Sequence, residues 1–139
     1  MNLIGKWKVK EVLYFTAENG MEWKTIDELA EAGVEEDTLA IYRKSVTVFT
    51  EDGAVDTMMP FSTEDYTQEQ IDEAIAEGIV IRDGMAVIGT KEWKIENGKN
   101  LYNTGNEGEI FGEKVSPWIE IKEVDDMIEI EVMRFIRVE

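Results

Sequence analysis

Apolar and polar residues alternate along much of this chain, the pattern of strands with one buried face. From Leu3 to Phe15, the residues Leu3, Trp7, Val9, Leu13 and Phe15 share one face, while Lys6, Lys8 and Lys10 share the other. Glu11 interrupts the apolar face. Ala17-Glu18-Asn19-Gly20 predicts a turn. Thr25-Ile26-Asp27-Glu28 has the spacing of a capping box and predicts a short helix through Ala32, with Gly33 just past its end. Leu39 to Thr50 is strand-like, with Ile41, Val46, Val48 and Phe49. Glu51-Asp52-Gly53 then predicts a tight turn, with Ala54 to Met59 returning as the hairpin partner and Pro60 stopping it. Thr67 to Gln70 repeats the capping-box spacing, and Ile71, Ala74 and Ile75 form the stripe of a second helix that Gly78 can terminate.

Strand periodicity resumes at Ile79. Ile79–Ile81 and Met85–Ile88 flank the hairpin signal Arg82-Asp83-Gly84. Trp93 and Ile95 lead into the turn Glu96-Asn97-Gly98, and Leu101 and Tyr102 follow. Asn103 to Gly108 is a polar loop, and Ile110 to Val115 a further strand before Pro117. Trp118–Val124 and Met127–Val138 predict a last hairpin around Asp125-Asp126. Short strands joined by tight turns imply an antiparallel meander, which must close or stack to hide its edges. The expected fold is mainly β, an up-and-down barrel with two short helices. No linker, composition shift or internal repeat divides the chain, so residues 1–139 are expected to form one domain.

Arg134 stands out in the last predicted strand. Ile128, Ile130, Val132, Ile136 and Val138 surround it on one face, with Glu129, Glu131 and Arg137 on the other. A guanidinium among apolar residues needs a partner, and an aromatic ring supplies one. With the first and last strands paired, Trp7 would face Arg134 and Val9 would face Val132. Gly5-Lys6-Trp7 on the first strand together with Arg134 on the last resembles the calycin superfamily, the lipocalins and intracellular fatty-acid-binding proteins. That resemblance implies a calycin-like barrel in which Gly5, Trp7 and Arg134 form a structural plug at one end. Length, the lack of Cys and an early helix look more like the intracellular branch. In that branch a Tyr two residues after the Arg completes a carboxylate clamp; here that position is Ile136, so half of the clamp is missing.

Composition narrows the chemistry. The chain has no Cys, which removes disulfides and thiolate catalysis. It has no His, which removes Ser-His-Asp and Cys-His catalysis and His- or Cys-based zinc sites. The net charge of -17 disfavours nucleic acid and anionic membranes as partners. It keeps an exposed β surface solvated and monomeric, or else serves calcium or a cationic partner. Asn103 to Glu109 lacks the spacing of a calcium loop. MNLIGKWKVK places lysines where a signal peptide has an apolar run, so a cytoplasmic location is expected.

An interior ligand would meet inward residues: Leu13, Phe15, Phe49, Met58, Trp93, Leu101, Ile121, Ile130 and Val132, with Arg134 available to a head group. The same positions fit plain core packing. Met58-Met59-Pro60-Phe61 suits a mouth or a support for the second helix. The expected function is non-catalytic binding of a small apolar or amphipathic molecule, with no cofactor and no metal. The alternative is a filled barrel acting as a structural or interaction module. An enzyme would need inward acids close together, Glu11 among them.

Overall fold

The computed structural model describes residues 2–60, 64, 66–82, 84–105, 108–110 and 112–138. Phe61, Asp83, Asn106, Glu107 and Phe111, which fall within segments discussed above, lie outside the described residues. The chain runs β1 (Gly5–Thr16), β2 (Gly20–Thr25), α1 (Ile26–Glu31), α2 (Glu36–Lys44), β3 (Val46–Phe49) and β4 (Ala54–Pro60). It continues with α3 (Gln68–Ala76), β5 (Val80–Arg82), β6 (Met85–Glu96), β7 (Lys99–Asn103), β8 (Gly108–Ile110) and β9 (Glu113–Val115). The last elements are β10 (Trp118–Glu120), β11 (Lys122–Val124), β12 (Met127–Ile130) and β13 (Met133–Arg137).

The main sheet follows the order β10-β7-β6-β4-β3-β1-β13-β12-β11, with β2 attached to β1 and β5 to β6. Every described pairing is antiparallel, and strands that follow one another along the chain lie side by side apart from inserted segments. This is a nearly closed up-and-down barrel. Its two edge strands belong to one stretch of chain. β10 pairs with β7, β11 pairs with β12, and only Ile121 separates them. The Ile121 N–H donates to the Asn100 carbonyl at 2.9 Å, and its side chain is buried. One extended segment thus changes neighbours at a core residue and brings the two ends of the sheet together.

Local chemistry sets the turns. Asn97 and Gly98 both adopt positive φ (53° and 76°) in the two-residue β6–β7 turn, which an Asn-Gly pair tolerates at low cost. Both capping boxes form. The Thr25 hydroxyl accepts from the Glu28 N–H and Glu28 accepts from the Thr25 N–H; Thr67 and Gln70 do the same at α3.

Several elements depart from the expected pattern. Among the described residues there are three helices, one more than expected, because the first half of Leu39–Thr50 is helical. Glu36 and Asp37 open α2 and Arg43 and Lys44 close it, charges that complement the helix dipole. β2 falls on Gly20–Thr25, where only a turn and a cap were expected. The strand expected over Ile110–Val115 is not continuous: Ile110 ends β8 and Glu113–Val115 is β9, its partner in a separate hairpin. Met127–Val138 is not one strand but the β12–β13 hairpin, turning at Glu131 and Val132. Glu131 takes φ 53° there, a left-handed conformation uncommon for a residue with a side chain.

The main core fills one end of the barrel with Leu3, Trp7, Phe49, Val55, Trp93, Ile121, Ile128, Ile130 and Phe135. Trp7 meets Phe49 edge to face (centroids 6.5 Å apart), and Phe49 meets Trp93 in the same way at 5.6 Å. Both indole N–H groups are satisfied, Trp7 by the Leu3 carbonyl and Trp93 by the Thr50 carbonyl, each at 2.9 Å. A second cluster, Val12, Leu29 and Leu39, secures α1 and α2 against β1. Val9 and Met133 touch both clusters.

Candidate functional site

Pairing of the first and last strands decides where each charged group goes. β1 and β13 are antiparallel neighbours with Trp7 opposite Arg137 and Val9 opposite Phe135. The cation over Trp7 is therefore Arg137, its guanidinium carbon 4.4 Å from the ring centroid; Arg134 does not reach this ring. Arg137 also donates to the Ile4 carbonyl at 3.0 Å and to the Asn2 carbonyl. Gly5 makes room for it. A Cβ on Gly5 would lie 2.8 Å from Arg137 Nη1, and its φ of 135° is one that residues with side chains avoid.

The expected partner was wrong by three positions because of the turn at Glu131-Val132. In an unbroken strand Arg134 shares a face with Ile128 and Ile130. A two-residue turn instead places Phe135 opposite Ile128 and Met133 opposite Ile130. The core face of β13 is then Met133, Phe135 and Arg137, and Arg134 points outward. There it donates to Glu11 at 3.2 Å and to Glu129 at 3.1 Å, and stacks 4.0 Å from the Trp23 ring centroid. The three charged side chains are only 17–20% exposed. Glu11 is thus no interior acid but a partner in an ion triad on the outer wall.

A register shift between Val9 and Glu11 has a matching effect on β1. Beyond it Val12 faces the core, while Leu13 is half-buried opposite Trp23 and Phe15 is 64% exposed.

Between the two clusters lies a cavity of about 240 Å³. Ile41, Tyr42 and Ser45 of α2 and its end form one side, with Thr47, Val55, Thr57 and Tyr102 from the barrel wall. Ile130, Glu131, Val132, Met133 and Phe135 complete it. Ile41 and Val132 are half-exposed, at 51% and 48%, and mark the mouth between α2 and the β12–β13 turn. The wall is mostly apolar. Among the described residues, the hydroxyls of Tyr42, Ser45, Thr47, Thr57 and Tyr102 have no hydrogen-bond partner. Burial raises the Tyr102 pKa above its ordinary value, and the Glu131 carboxylate adds to the rise, so the phenol stays protonated and able to donate.

Of the interior positions expected from sequence, Ile130 and Val132 line this cavity. Phe49, Trp93 and Ile121 belong to the filled core, and Met58 is buried in the wall opposite Val46. Leu101 sits half-buried between Lys94 and Glu120 on neighbouring strands. Leu13 and Arg134 are on the outer wall. Tyr42, Thr57, Tyr102 and Glu131 were missed. Tyr102 was within reach of sequence reasoning, since it lies directly opposite the inward Trp93; Tyr42 depended on α2, Glu131 on an unsignalled turn, and Thr57 on the register shift beside it in β4. No group of three or more acidic, His or Cys residues among the described residues could hold a metal ion. No described helix is long and apolar enough to cross a membrane.

No protein-family model, no curated protein and no solved structure matches this chain.

Proposed function

We propose that this chain is a calycin-like barrel that holds one small amphipathic molecule, without catalysis, in the cavity beneath α2. The observation that carries this function is the pairing of an apolar wall with several unspent hydroxyls beside an exposed mouth. Among the described residues no buried side-chain oxygen lacks a partner, so these unpaired hydroxyls open onto accessible space, where a ligand can meet them. The volume of about 240 Å³ lies just below the range of drug-sized sites, roughly 300–1,000 Å³, and suits something much smaller than a long-chain lipid. Support for the calycin-like assignment comes from the nearly closed antiparallel barrel and from Gly5, Trp7 and Arg137 at its packed end.

Displacement of an environment-sensitive apolar dye tests the proposal. The protein should take up the dye, and Val132→Trp, which places an indole at the mouth, should abolish uptake while leaving thermal unfolding within a few degrees. Dye excluded from the unmodified protein favours the alternative, an interaction module. That alternative draws on α3, which buries none of its residues, and on exposed Ile75 and Ile79 beside it.

A further inference from the structure

We infer that the cavity beneath α2 selects a small organic cation, an aryl- or alkylammonium, over the neutral or anionic molecule of the same shape. The inference rests on the binding function proposed above and adds the ligand's charge.

Among the described residues, Glu131 is the one ionised side chain that lines the cavity; neither Lys nor Arg does. Among the described residues Glu131 has no ion-pair partner, so its charge is not already neutralised. The two arginines that could have received a carboxylate are committed elsewhere. Arg134 lies on the outer wall between Glu11 and Glu129, and Arg137 covers Trp7 at the packed end. Hydroxyls alone do not discriminate between a cation and an anion, since each can donate or accept. The carboxylate does discriminate, and so do the aromatic faces of Tyr42, Tyr102 and Phe135, whose quadrupoles attract ammonium groups. Location matters too. Glu131 stands at the turn beside the mouth and is exposed, so an ammonium can pair with it without losing all its water, while the apolar remainder enters. The net charge of -17 concentrates cations near the surface and repels anions on approach.

Phenethylammonium, phenethyl alcohol and phenylpropanoate, compared by calorimetry at a fixed ionic strength near 0.15 M, provide the test. The ammonium should bind at least about tenfold more tightly than the alcohol, a difference of about 1.4 kcal/mol, and the carboxylate most weakly. Glu131→Gln should bring the ammonium down to the affinity of the alcohol. Val132→Trp should remove all binding. Equal affinities for the three probes overturn the charge preference and leave the container function standing. No binding by any of them overturns both. A preference that survives in Glu131→Gln, or ammonium binding that survives in Val132→Trp, assigns the attraction to the acidic surface and overturns the inference.

Discussion

Gly5 and Arg137 share one volume: the space a side chain would take at position 5 holds the guanidinium that covers Trp7. The first and last strands of the barrel are locked by this pair as much as by their ladder. Arg137→Met should lower stability by about 1–3 kcal/mol, from the lost ring contact and two charged hydrogen bonds. Gly5→Ala should cost about as much, from backbone strain and displacement of Arg137. In the Arg137→Met background the same change should cost less, because the atom it strikes is gone. Chemical denaturation of the four proteins measures this coupling; strictly additive losses would separate the two residues.

The outer-wall triad invites a second cycle. Arg134→Met leaves Glu11 and Glu129 facing each other with little solvent, and should destabilise by about 1–3 kcal/mol after allowance for their partial exposure. Replacing all three, as Glu11→Gln, Arg134→Met and Glu129→Gln, should restore most of that loss. If the triple variant is no more stable than Arg134→Met alone, charge repulsion is not the cause. Binding of cavity probes should persist in Arg134→Met, since Arg134 does not reach the cavity.

Two groups give stability a pH dependence of opposite sign. Hydrogen bonds from the Thr25 backbone and side chain hold the Glu28 carboxyl below its ordinary value of 4.5. A depressed folded pKa stabilises above the unfolded value, and the contribution is lost as pH falls through the folded one. Tyr102 is shifted upward from 10.0 by burial and then by Glu131. Its contribution is complete below the unfolded value and disappears as pH rises through the folded one. Denaturation midpoints should therefore decline at both extremes. Thr25→Ala should shrink the acid slope and Tyr102→Phe the alkaline slope; unchanged slopes would contradict these assignments.

Much of the barrel was readable because its turns carry their own chemistry. Asn97-Gly98, Asp52-Gly53 and the two Thr-led capping boxes mark their positions whatever the tertiary context. The cavity was not readable, for a related reason. Its floor and mouth depend on a turn at Glu131-Val132 that contains no Gly, Asn, Asp or Pro, set within a run that alternates like one strand. That turn reverses which residues of β13 face inward, and it moved both arginines relative to expectation. On β1 the register shift after Val9 worked likewise, since one extra residue exchanges the two faces of a strand. α2 was obscured because Leu39 and Ile41 fit a strand as well as a helix face and lead directly into β3 at Val46, and tertiary packing of Leu39 on Val12 and Leu29 decided for the helix.

The barrel has a seam. β3, β4, β12 and β13 are held on both flanks over nearly the same residues, but between Trp118 and Val124 the first half leans on one neighbour and the second half on another. Three ladder residues a side, the anchoring of Ile121 and the bonds from Thr104 to the Pro117 carbonyl join the sheet's margins there. A hoop fastened at so short an overlap can part without unthreading any loop, so this stretch is where the wall would yield first under load.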